Sequence, residues 1–200
     1  MTATVLVDPA AAHAVAAAYA DAPATSRDPV VAAAYGRLVA ETDELFRQVT
    51  APDRPDRVDV VFTACPEPYA DAGELIDAVT HDRRLEVVTV ATQPDQRHPL
   101  MGCGRGGAYD RFRAVHDVFG HARLGLGFDR HAELAAWRSQ RRFHGPLANR
   151  ALATELHGRH SVLWTTGDLA PPKATLLDPR LVRRSITASL QRTEPTKGAS

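Results

Sequence analysis

Lysine is nearly missing from this 200-residue chain: Lys173 and Lys197 are the only two. Arginine carries the rest of the basic charge. Lys plus Arg equals Asp plus Glu at 24 each, for a formal net charge of +0. A chain so balanced presents no overall field to nucleic acid or to an anionic membrane. In so alanine-rich a sequence, the arginine bias reads as the mark of a GC-rich genome. Cysteine is almost as scarce. Cys65 and Cys103 stand far apart and in no metal-binding spacing, which argues against a disulfide framework and for a reduced, cytoplasmic setting. No apolar run approaches the roughly 18 residues of a membrane span. The alanine-rich start has no basic lead and is interrupted by Asp8 and Asp21, so it is not read as a secretion signal.

What is present is 44% hydrophobic and 24% charged residues, the composition of an ordinary globular domain, at a length that buries a sizeable core without cross-links. One domain over residues 1–192 is expected, with a frayed tail at 193–200. Asp8-Pro9 and Asp28-Pro29 each pair a capping side chain with proline at the first helical position, predicting helices to about Tyr19 and Gln48. Valine-rich Arg57–Ala64 and Leu85–Ala91 read as strands around a helix over Asp71–His81. A parallel pair with a right-handed crossover is favoured, and an antiparallel pair stays open. Thr92–Gly107 reads as a mobile glycine-rich loop. Helices then follow at Tyr109–Phe119, Arg130–Phe143 and Pro146–His160, an extended piece at Ser161–Thr166, and a last helix from Pro179 to about Leu190. The fold class is therefore α+β, mainly helical, with about six helices and a small sheet of two or more strands.

The chemistry concentrates in Tyr109-Asp-Arg-Phe-Arg-Ala-Val-His-Asp-Val-Phe-Gly-His121. His116 falls on the face of Phe112, Val115 and Phe119. On an ideal helix, His121 would point about 140° away from it. Gly120 offers a way out, by ending the helix in a left-handed turn and letting His121 swing back. Two imidazoles converging at a helix end make half a metal site. A third ligand is suggested by Glu155, which sits in the apolar stripe of Ala148, Ala151, Leu152 and Leu156. A buried carboxylate needs a metal or another partner. The competing structural expectation is a pair of satisfied core histidines, with Glu155 bridged to Arg159.

His-Asp-Val-Phe-Gly-His followed by Thr-Glu-Leu resembles the iron site of the pterin-dependent aromatic amino acid hydroxylases. The resemblance covers only a minor part of the chain around His116–Glu155, and its six-residue run is the specific part. It implies His116, His121 and Glu155 as ligands to Fe(II), with Asp117 beside the cofactor. The hydroxylase catalytic domain is longer than this chain, and no counterpart of its pterin loop precedes the histidines, so pterin is expected to be dispensable. His98-Pro-Leu, Tyr109-Asp-Arg-Phe-Arg113, the triad and Trp164–Gly167 are also similar to an uncharacterised domain of phage and plasmid proteins.

Two histidines and a carboxylate leave coordination positions for dioxygen and substrate. The expected function is therefore a non-heme Fe(II), dioxygen-dependent oxygenase acting on a small molecule, with no nucleic-acid or membrane partner. Arg113, one helical turn before Asp117, is placed to pair with it. Arg105 on the glycine-rich loop is a candidate clamp for a substrate carboxylate. His157, His160 and Trp164 are candidate pocket residues. One alternative is an HD-type metal phosphohydrolase, using His116-Asp117 with His81 and Asp168. Another is a non-enzymatic binding protein.

Overall fold

The structure is a computed structural model that describes residues 6–90, 97–102 and 104–191. The expected tail at 193–200, Ala91 at the end of the second predicted strand, the beginning of the loop that follows it, and Cys103 lie outside these residues. Two helices open the chain, α1 (Pro9–Asp21) and α2 (Pro29–Thr50). Each begins as its sequence dictates. Asp8 accepts from the Ala11 N–H at 2.9 Å and Asp28 from the Val30 N–H at 2.8 Å, with proline at the first turn. Strand β1 (Asp59–Thr63), helix α3 (Ala72–Thr80) and strand β2 (Arg84–Val88) follow. The strands pair in parallel, with Val60 opposite Leu85 and Phe62 opposite Val87. The structure thus decides the pairing left open by the sequence.

Helix α4 (Ala108–His116) runs without a break into a π-helical turn at Asp117–His121. Helix α5 (Arg130–Gln140) comes next. Helix α6 (Pro146–Leu152), a second π turn at Ala153–Gly158 and α7 (Arg159–Thr166) then form one continuous rod, and α8 (Pro179–Gln191) closes the chain. The class is α+β and mainly helical, as expected. Ser161–Thr166, expected to be extended, is helical instead, because the rod carries on through its π turn and stops only at Gly167, whose φ is +88°. Among the described residues, no helix is long and apolar enough to cross a membrane.

Helix α4 lies at the seam between two apolar cores. Phe112 joins the core of Leu38, Trp137 and Leu152, whereas Val115 and Val118 join the core of Leu85 and Val87 over the sheet. The buried carboxylate of Asp110 fixes its first turn. It accepts from Thr89 Oγ1 at 2.6 Å, the Val90 N–H at 2.8 Å and the Gly106 N–H at 2.9 Å. The same bonds hold the glycine turn before α4, and Arg111 donates to the Gly106 carbonyl. This end of the expected mobile loop is therefore pinned.

The rod packs closely on α1. A Cβ at Gly158 would stand 2.7 Å from Tyr19 Cδ2 and 3.1 Å from Leu177 Cδ1. Gly158→Ala is expected to lower stability by about 1–3 kcal/mol through overpacking, measured as an earlier urea midpoint. On the same turn the His157 ring stacks on Trp137, with centroids 4.5 Å apart, and its Nε2 meets Ser185 Oγ at 2.7 Å. Burial, aided by the charge of His160, pushes its pKa down to about 3. The unfolded chain takes up this proton near pH 6.5 and the folded chain does not, so the contribution is whole above about pH 6.5 and is lost as pH falls toward 3. Urea unfolding at about pH 7 and about pH 4.5 should show a larger loss in the wild type than in His157→Gln.

Candidate metal centre

The π turn solves the problem of the two histidines. Its i→i+5 bonding widens the helix by one residue, so positions five apart stack instead of diverging. His116 and His121 face each other, with Nε2 atoms 3.1 Å apart and rings nearly perpendicular. Gly120 is needed here, although not as expected. Its φ is not positive. What matters is space, since a Cβ there would sit 3.1 Å from His116 Nδ1 and 3.1 Å from the Ala136 methyl on α5.

Each ring is held by its other nitrogen. His116 Nδ1 donates to Gln140 Oε1 at 2.8 Å. His121 Nδ1 lies 3.0 Å from the Gly127 carbonyl and 3.2 Å from that of Leu126, acceptors that require it to carry the proton. In these tautomers the two Nε2 atoms face one another as lone pairs, an arrangement satisfied by a proton or a metal cation between them. The carboxylate completing the group is Glu133, from α5. Its Oε2 is 3.4 Å from His116 Nε2 and its Oε1 3.6 Å from His121 Nε2. One donor atom from each of the three lies within 4.8 Å of the others. Bonds of about 2.0–2.2 Å to one ion set neighbouring donors about 3 Å apart, so the three fit a single metal.

Glu133 thus occupies the place expected for Glu155. Glu155 does not belong to this group. It is buried, lines the same cavity, and accepts at Oε1 from Tyr35 and His98. Nor does it bridge to Arg159, which donates instead to the Ala170 carbonyl and the Tyr109 hydroxyl. The signal for Glu133 was present in the sequence. Glu133, Ala136, Trp137 and Gln140 follow one another at helical spacing and are all buried. Leu134, also buried on this helix, marks the apolar side more visibly than the two polar side chains Glu133 and Gln140 do.

The surroundings tune the group. Burial pushes the Glu133 carboxyl up, but hydrogen bonds from His116, His121 and His160, when these rings are protonated toward it rather than metal-bound, outweigh burial and hold the carboxyl well below the usual range. His160 Nδ1 stands 3.1 Å from Glu133 Oε2. For His121, burial lowers the pKa, yet the hydrogen bond and charge of Glu133, with Asp117, leave it raised. Asp117 follows His116 and lines the cavity. Burial raises its pKa, against the pull of His116, His121 and Arg113. Arg113 also lines the cavity, but it donates to the Val88 carbonyl at 3.0 Å rather than pairing directly with Asp117. The cavity measures about 640 Å³. Trp164 is outside its lining, with its ring 5.8 Å from that of His160. Arg105 is exposed and also outside it, because the turn that carries it is tied down by Asp110.

Comparison with protein-family models, with curated proteins and with solved structures finds no match for this chain.

Gln140 is the acceptor that turns His116 Nε2 toward the centre. Gln140→Leu should keep the fold and weaken metal affinity about 10- to 100-fold, read by competition with a chromophoric chelator.

Proposed function

We propose that this protein is a metal-dependent enzyme holding a first-row divalent ion, iron(II) in the reading adopted here, on His116, His121 and Glu133, and that it oxidises a small molecule with dioxygen. The observation that carries the reading is the pair of facing Nε2 lone pairs at 3.1 Å, each ring having its Nδ1 proton committed elsewhere. Two histidines and one carboxylate are the donor set of non-heme iron oxygenases, and three protein ligands leave room for further ligands. Bound there, the ion would supply Lewis acidity and one-electron chemistry with dioxygen.

The chain's own residues do the remainder. Gln140 and the 126–127 carbonyls orient the rings. His160 donates to Glu133 Oε2 and holds that carboxylate in place. Asp117 lines the cavity next to the ligand His116, where burial raises its pKa. Phe112 and Val87 on the cavity wall exclude water. A substrate carboxylate held by Arg105 has no support in this geometry. Pterin remains dispensable in this reading, and scarce cysteine keeps the proposed location cytoplasmic. The phosphohydrolase alternative loses its outer ligands, because His81 and Asp168 are exposed and outside the cavity lining.

Metal analysis separates these possibilities. Glu133→Gln and His116→Ala should each lose bound Fe(II), whereas Glu155→Gln, His81→Ala and Asp168→Ala should retain it. Loss in Glu155→Gln with retention in Glu133→Gln would refute the ligand set. Oxygen uptake by the Fe(II)-reconstituted protein, followed across a panel of small amines and acids, should be independent of tetrahydropterin. Oxygen-independent turnover of a phosphoester would assign the site to hydrolysis.

A further inference from the structure

The second buried carboxylate of the cavity is only half used. The Glu155 side chain is fully buried. Its Oε1 accepts from the Tyr35 hydroxyl at 2.6 Å and from His98 Nε2 at 3.0 Å. The Leu100 N–H donates to His98 Nδ1 at 3.3 Å, so the ring proton is on Nε2, the nitrogen that faces Glu155. The other oxygen, Oε2, is equally buried and accepts no hydrogen bond from the described residues. A buried carboxylate oxygen stripped of water and given no donor is unfavourable unless a donor arrives from elsewhere.

The nearest cation of the rod does not fill the role. Arg159, one turn beyond Glu155, is anchored to the Ala170 carbonyl and the Tyr109 hydroxyl. The cavity as a whole is also acidic. Among the described residues, Glu67, Glu86, Asp117, Glu133 and Glu155 line it, against Arg113 and Arg159. With Glu133 assigned to the metal, carboxylates still outnumber arginines. Tyr109 and Phe112 supply apolar ring surface in the same lining, suited to a hydrocarbon body and attractive to an ammonium.

We propose that Glu155 anchors a substrate subsite for a protonated amine, whose N–H is donated to Oε2. The proposal rests on reading this cavity as the substrate site, and it names the substrate as a small amine with an apolar body. Tyr35 and His98 are positioning residues. They hold Oε1 and leave Oε2 without a donor of its own. Such a charge-assisted hydrogen bond favours an ammonium over a neutral hydroxyl of the same shape.

The test uses metal-free protein, titrated calorimetrically with benzylammonium and n-butylammonium chloride and, at matched ionic strength, with benzyl alcohol and n-butanol. At least one amine should bind saturably and at least about tenfold more tightly than its alcohol. That binding should fall at least as far in Glu155→Gln and persist in Glu67→Gln, which changes an exposed acid of the same cavity. Circular dichroism and metal titration should show Glu155→Gln folded and metal-competent. Should that variant fail to fold, the amine-to-alcohol ratio in the wild type decides. Equal binding of amine and alcohol, binding of neither amine, or undiminished amine binding by folded Glu155→Gln overturns the proposal. The ligand reading fails separately, through metal titration of the wild type and Glu133→Gln, in which no amine takes part.

Discussion

The constraint on which this structure turns is the spacing of five residues between His116 and His121. An α-helix sends such a pair to different sides; one π turn stacks them. The wider turn requires the His116 ring to lie over Gly120, and α5 to approach the same glycine through Ala136. A side chain at 120 would push the ring and the helix apart. That close approach in turn brings Glu133 and Gln140 of α5 to the two sides of His116. One glycine therefore sets the helix spacing, the ring orientation and the identity of the carboxylate together.

The second π turn does related work in the long rod. It lodges Glu155 and His157 in the interior, where an apolar stripe would otherwise continue. His157 settles as a neutral ring against Trp137, with Ser185 as its partner. Glu155 settles as a carboxylate between Tyr35 and His98. The two widened turns come from different parts of the chain, and each delivers ionisable groups to one cavity. Its two buried carboxylates differ in chemistry. Beside Glu133 two imidazole nitrogens face each other, a group that could hold a metal cation. At Glu155, hydrogen-bond donors crowd one oxygen and, among the described residues, leave its twin without one.

The need of Glu155 for a partner was correctly legible from its place in an apolar stripe. The partner was not. A buried carboxylate is stabilised equally well by a metal or by a hydroxyl and an imidazole N–H, and local sequence does not distinguish the two. His98 lies 57 residues before Glu155 and Tyr35 lies 120 before it, so the choice depended on which distant helices came together. The same holds for Arg105. A glycine-rich approach suggested a moving clamp, but the buried Asp110 carboxylate ties the Gly106 backbone to α4 and leaves Arg105 outside.

By itself the sequence determined what short-range chemistry controls. Asp-Pro pairs started α1 and α2, valine-rich runs made β1 and β2, and the apolar periodicity put His116 on a buried face. It also marked His116 and His121 as the pair to watch. Only the tertiary structure decided how that pair converges, because the energy of a π turn depends on what packs against it, here Ala136 over Gly120. Tertiary structure likewise brought Glu133, not Glu155, to the histidine pair. A ligand set is a meeting of atoms in space, and Glu133 reaches the histidines because α5 crosses the π turn, whereas Glu155 is drawn off by donors from α2 and the segment around His98.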